Sequence, residues 1–222
     1  MERKIFENMQ YVVKYPIGYK EGEKYPVLLF LHGAGTRGTD ITALEQNVLF
    51  TDSEVVDRYP FVTVAPLCHG NSWFDHFETL RRFVLAILEM PYTDSERVYV
   101  IGNSMGGYGT WALGMSMPEC FAAIVPICGG GMYWNAEQLK HTPVWAFHGA
   151  LDETVYPEES KKMVDAVNLF GGKAKLTIYP DCQHHSWEPA FKMPELYEWL
   201  LEQKNTKVKE IASIYNDAKL YG

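Results

Sequence analysis

The 222-residue chain is 47% hydrophobic and 22% charged, a composition that fits one globular domain with a sizeable core. Its 28 acidic residues outnumber 20 basic ones, and the net charge of −8 repels phosphate backbones, which argues against nucleic acid as a partner. No apolar run approaches the ~18–20 residues of a membrane-spanning helix, so no membrane partner is expected.

The charged start Met1-Glu2-Arg3-Lys4-Ile5-Phe6-Glu7 contains no apolar signal segment, and a cytoplasmic location is the expectation. Cys68, Cys120, Cys128 and Cys182 show no C-x-x-C spacing and read as free thiols.

In chain order, residues 10–20 read as an opening strand. Fully apolar runs follow at 27–31 (Val-Leu-Leu-Phe-Leu), 61–65, 97–101, 122–127, 144–147 and 175–179. Runs of this kind suit a sheet covered on both faces. Between them lie helical periods: Phe77, Leu80, Phe83, Val84 and Ile87; a helix opening at Gly107; Met163, Val164, Val167 and Leu169; and residues 195–201. The alternation predicts an α/β fold, a mainly parallel sheet with helices on both faces. The expected organisation is one domain over residues 1–204. Residues 205–222 turn polar, with a thin stripe of Ile211, Ile214, Tyr215 and Leu220, and are expected to form a terminal helix on the domain.

The chemistry centres on Gly102-Asn103-Ser104-Met105-Gly106, which joins the run 97–101 to the following helix. Strand, G-x-S-x-G and helix make the context of a nucleophile elbow, in which a serine is pushed out above the sheet. Serine is a weak nucleophile and needs a base oriented by a third group. In open α/β sheets such groups lie beyond the carboxyl ends of strands. After the run ending at Phe147 come Asp152 and Glu153, with Asp152 placed to orient a histidine. Taken alone, Asp152 would read as a turn residue or helix cap. After the run ending at Tyr179 come His184 and His185, of which only one can face the site. The residues alone leave the two open. A metal site built on this pair with Asp181 and Cys182 is disfavoured, because adjacent histidines chelate poorly. No metal and no cofactor is expected.

An oxyanion needs fixed donors. The N–H of Met105, next to the nucleophile, is one candidate. The glycine-rich turn His32-Gly33-Ala34-Gly35 supplies the other, with Ala34 preferred and Gly35 as the alternative. Trp73, Trp134 and Trp187 sit in loops after apolar runs and are candidate walls of a substrate pocket, with flat faces for a sugar or a phenolic acid.

Together these stretches resemble α/β-hydrolase esterases. The likeness is closest to the compact feruloyl and acetyl-xylan esterases, dienelactone hydrolase-like proteins and polyester depolymerases. These in turn are related to prolyl-oligopeptidase catalytic domains. It is carried by residues 25–35, 102–111 and 143–149 with Asp152 and Val155, and by His184-His185-Ser186-Trp187. In such relatives the last loop often reads Gly-His-Asp/Asn-Ser/Ala-Trp with its first histidine catalytic. Ser186-Trp187 matches the end of that loop, which implies that His184 is the base. The sequence departs at Gln183, where glycine is usual, and at 66–69, Pro-Leu-Cys-His, where Pro-Gln-Cys-Pro is common. The resemblance implies an α/β-hydrolase fold without a large lid domain and a serine esterase with the triad Ser104, Asp152 and His184. The expected substrate is a small-molecule or oligosaccharide ester with a short acyl, aryl or sugar group. A prolyl-oligopeptidase-like exopeptidase and a non-catalytic binding protein on the same fold are the alternatives. The loop at 128–143 is too short for a helical lid, so an open cleft is expected.

Overall fold

The computed structural model describes residues 1–205 and Tyr215. Its centre is one eight-stranded sheet in the order β1-β2-β4-β3-β5-β6-β7-β8. The strands are β1 (Glu2–Phe6), β2 (Met9–Lys14), β3 (Tyr25–Leu31), β4 (Val62–Pro66), β5 (Thr93–Asn103), β6 (Ala123–Ile127), β7 (Val144–Gly149) and β8 (Ala174–Tyr179). β1 and β2 run antiparallel to their neighbours, and every other pairing is parallel. The apolar runs become buried central strands because both sheet faces are covered. Alternation then splits each strand between two cores. Val27, Leu29 and Leu31 of β3 face one core with Trp73, Phe83, Trp111 and Val167. Leu28 and Phe30 face the other with Phe50, Phe147, Phe191 and Tyr197.

The helices are α1 (Thr42–Glu45), α2 (Val48–Thr51), α3 (Phe77–Glu89), α4 (Met105–Ser116), α5 (Pro157–Leu169), α6 (Trp187–Phe191) and α7 (Pro194–Glu202). Buried residues of α3, α4 and α5 join the first core, and those of α1, α2, α6 and α7 join the second. This is the α/β-hydrolase arrangement. Among the described residues no helix is long and apolar enough to cross a membrane, and all four cysteines are free.

The charged start, to which the sequence pattern assigned no element, forms the edge strand Glu2–Phe6 paired with β2. Two expectations need correction. The opening strand stops at Lys14, before Pro16. α4 starts at Met105 rather than Gly107, so its first turn lies directly after Ser104. The expected terminal helix falls outside the described residues, apart from Tyr215, whose hydroxyl donates to Glu119 Oε2 at 3.1 Å.

Candidate active site

β5 carries the chain straight into the elbow. Ser104 adopts φ 55° and ψ −118°, a conformation that non-glycine residues rarely take. Two contacts hold it there: its N–H donates to Ile127 O at 2.9 Å, and its carbonyl accepts from Tyr108 N at 3.1 Å. The turn demands glycine at 106, where a Cβ would run into the Leu31 carbonyl. α4 thus starts beside the serine, and the N–H groups of its first turn have no helical partners.

The three residues read from separate segments meet above the sheet. Ser104 Oγ lies 2.9 Å from His184 Nε2, and His184 Nδ1 lies 2.7 Å from Asp152 Oδ2. The imidazole therefore accepts the serine proton at Nε2 and donates its Nδ1–H to the carboxylate. Asp152 is buried in the loop that follows β7. Burial opposes its charge, but hydrogen bonds from His184 and from the N–H groups of Val155 and Thr154 outweigh that and hold its pKa below the ordinary carboxylate value. The acid is thus ionised where it faces the base. Glu153 is exposed and outside this chain of bonds.

The oxyanion-loop candidate is fixed by its carbonyls. Trp73 Nε1–H donates to His32 O at 3.0 Å, His32 Nδ1–H to Gly33 O at 2.8 Å, and Arg37 Nε–H to Ala34 O at 2.9 Å. In a trans peptide the C=O of one residue points opposite to the N–H of the next. Holding these three carbonyls therefore sets the direction of the Gly33, Ala34 and Gly35 N–H groups. His32 Nε2 accepts from Cys68 N at 3.0 Å, which ties the loop to the end of β4. Burial drives the pKa of this histidine down to about 4, so it stays neutral with its proton on Nδ1.

Ser104 opens into a cleft of about 510 Å³. Gly33–Thr36, Ala43–Val48 in part, Thr154, His185 and Trp187 line it. Trp187 lines this cleft, and its ring stands at 90° to that of His184, 5.4 Å between centroids. Trp73 does not: it is fully buried in the core beneath the oxyanion loop. Trp134 is 67% exposed, packs edge-on against Tyr133, and is not among the cleft residues. The loop carrying it folds as a 3₁₀ segment, Tyr133–Leu139, anchored by the buried Ala136 and Leu139, and makes no lid. His185 is exposed but also borders the cleft, its ring against Trp187 at 4.9 Å.

Sequence reading passed over two residues here. His148, one position before the end of β7, is fully buried with Nε2 at 3.3 Å from Asp152 Oδ2. Its signal was the pair His148-Gly149 directly before the acid loop. Cys128 follows β6 with φ 40° and is also fully buried. Its sulfur lies within 4.8 Å of the ligand atoms of Asp152 and His184, the one such grouping with metal-binding side chains among the described residues. Burial raises the thiol's pKa to about 12, and Asp152 and His184 are already bonded to each other, so the trio is a poor metal site. Asp181, Cys182 and the histidine pair form no such cluster among the described residues.

A thermostable esterase of known structure superimposes with a TM-score of 0.81 at 32% identity, over 91% of this chain and 63% of that one. Dipeptidyl-peptidase 5 of Porphyromonas gingivalis is 22% identical over 82% of this chain. The chain spans only 34% of that peptidase's length. Endo-1,4-beta-xylanase Y of Acetivibrio thermocellus is 24% identical over 56% of this chain and 13% of its own. The dienelactone hydrolase family model matches residues 55–197, a stretch that holds Ser104, Asp152 and His184 and more than half of the sequence. On that match, and on a fold it shares with esterases, the chain belongs to the dienelactone hydrolase family.

Proposed function

We propose that the protein hydrolyses carboxylic esters through an acyl-enzyme on Ser104. The observation that carries this is the unbroken hydrogen-bonded chain Ser104–His184–Asp152 at the floor of an open cleft. Ser104 Oγ attacks the ester carbonyl as its proton passes to His184 Nε2. Asp152 keeps the imidazole oriented and stabilises its charge. The N–H groups of Met105 and Ala34, with Gly35 as the alternative, hold the oxyanion. His184 returns the proton to the leaving alcohol, and water then releases the acid by the same steps in reverse. The proposed chemistry uses no cofactor.

The cleft supports an uncharged substrate. Among the described residues lining it there is no carboxylate, lysine or arginine outside the triad. An aminopeptidase must bind a free ammonium group, and a charge removed from water needs an opposite partner. This favours esters over the exopeptidase alternative suggested by the dipeptidyl-peptidase likeness. With no lid over the cleft among the described residues, short acyl groups fit best, and Trp187 beside His185 offers a flat face to an aryl or sugar unit. Carbohydrate-linked acetyl or feruloyl esters are the proposed natural type, in keeping with the likeness to part of a xylanase.

The test is a hydrolysis panel run with EDTA present, containing short acyl 4-nitrophenyl esters, feruloyl esters, acetylated xylan and aminoacyl-anilides. Ester turnover without anilide turnover is expected. Anilide cleavage at equal or greater efficiency would favour the exopeptidase, and no turnover of any member would favour a binding protein.

A further inference from the structure

Asp152 Oδ2 is approached by two imidazoles. His184 donates to it at 2.7 Å, and His148 Nε2 stands 3.3 Å from the same oxygen. His148 lies on β7, inside the sheet, and has no exposure to solvent. We infer that His148 is a positioning residue of the reaction, a second imidazole that holds the triad carboxylate and its loop for His184. The inference rests on the triad reading above.

Proton bookkeeping supports a defined role. His148 Nε2 also lies 2.8 Å from Val155 O. Both of its neighbours are acceptors, so Nε2 carries a hydrogen. Nδ1 lies 2.7 Å from Ser160 Oγ, and that hydroxyl is 3.0 Å from Gly129 O. Ser160 has one proton to give. It donates to Nδ1 when the ring is neutral, and to Gly129 O when the ring is charged and donates to it. The hydroxyl can therefore follow the state of the ring. The groups that act on the ring's charge are the Val155 carbonyl and Asp152, which favour it, and His184, which opposes it. Glu158, on α5, also faces it electrostatically. Burial is the largest influence and keeps the ring neutral.

A neutral His148 does two things for Asp152. Its Nε2–H fixes the Val155 carbonyl, while the Thr154 and Val155 N–H groups hold Oδ1 at 2.9 Å each, so the acid loop closes around its own side chain. That N–H points at Val155 O, but its nitrogen stands 3.3 Å from Oδ2, and its positive end beside the carboxylate draws off part of the charge that His184 faces. Losing it leaves a looser carboxylate with a stronger pull on an imidazolium.

The experiment compares His148→Leu, His148→Gln and Ser160→Ala with wild type in kcat, KM and the pH profile of kcat/KM on 4-nitrophenyl acetate. Fluorophosphonate labelling of Ser104 is measured on each. For His148→Leu, kcat should fall by about 10–100-fold with KM within about twofold, and the acidic limb should move to higher pH by about half a unit or more. His148→Gln, which keeps an N–H donor, should recover kcat to within about fivefold and restore the limb. Ser160→Ala should lower kcat by roughly threefold to tenfold and move the limb the same way. Unchanged kcat and an unmoved limb in His148→Leu overturn the inference. If that variant does not fold, the same null result in Ser160→Ala overturns it. Failure of wild type to label at Ser104 would instead overturn the triad reading.

Discussion

Trp73 donates its indole N–H to the carbonyl of His32 at 3.0 Å, with both side chains fully buried and their rings 4.9 Å apart. A tryptophan that reads as a pocket wall in sequence is thus a strut under the oxyanion loop. Trp73→Phe keeps most of the packing and removes the donor. It should lower kcat about tenfold, short of the 10²–10³ seen when an oxyanion donor itself is deleted, and leave KM within about twofold. An unchanged kcat with a raised KM would return Trp73 to the substrate pocket.

Trp187 and Trp134 should separate cleanly. Trp187→Ala removes a cleft wall and the ring that abuts His184, so it should raise KM for aryl esters several-fold and lower kcat as well. Trp134→Ala should leave both constants within about twofold, since that ring packs on Tyr133 outside the cleft. Steady-state kinetics on a 4-nitrophenyl and a feruloyl ester measure both. An equal loss in Trp134→Ala would show that the exposed ring reaches the substrate.

His184 and His185 are adjacent but unequal. His184→Ala should cost on the order of 10⁴-fold or more in kcat, and combining it with Ser104→Ala should add nothing, because triad members act as a unit. His185→Ala should keep activity within roughly tenfold, with its effect in KM because the ring borders the cleft. The opposite ranking would mean that the loop register is wrong by one residue.

The positions of these groups were legible to different degrees. Buried parallel strands announce themselves as continuous apolar runs with loops at their carboxyl ends, so Ser104 and Asp152 could be picked out from local pattern, whereas the choice of His184 over His185 came only from the family resemblance of the loop. The edge strand Glu2–Phe6 could not be picked out, because three of its five residues are charged and only Phe6 and Ile5 are apolar, too few for a periodicity to show. The three loop tryptophans carry the same local signal, yet one is a core strut, one a cleft wall and one a surface ring. Burial of a loop aromatic depends on which other segment covers it. His148 was visible as a residue but not as a neighbour of Asp152, since that contact depends on how the loop after β7 turns back.

His32 should make stability pH-dependent. Its folded pKa of about 4 lies below the ordinary 6.5, so the unfolded chain binds the extra proton first as pH falls. The stabilisation is therefore complete above about pH 6.5 and is lost as pH falls toward 4, amounting to about 3 kcal/mol. Chemical denaturation of wild type and His32→Gln at pH 7 and pH 4 isolates the term. The gap between the two proteins should shrink by about that amount at the lower pH. A gap independent of pH would mean that His32 is not held neutral.

Substrate length tests the open cleft. Activity on 4-nitrophenyl esters should fall steadily from acetyl to octanoyl, with no jump at the critical micelle concentration. A preference for dodecanoyl esters, or interfacial activation, would reveal a lid or lipid-docking surface.

The central claim is that Ser104 is the nucleophile of a serine hydrolase. A fluorophosphonate probe followed by peptide mass spectrometry tests it most directly, alongside turnover by Ser104→Ala. One labelled residue, Ser104, is expected, with a loss of kcat on the order of 10⁴–10⁶ in a variant that stays folded. Labelling at a different serine, or ester turnover by Ser104→Ala near the wild-type rate, would contradict it.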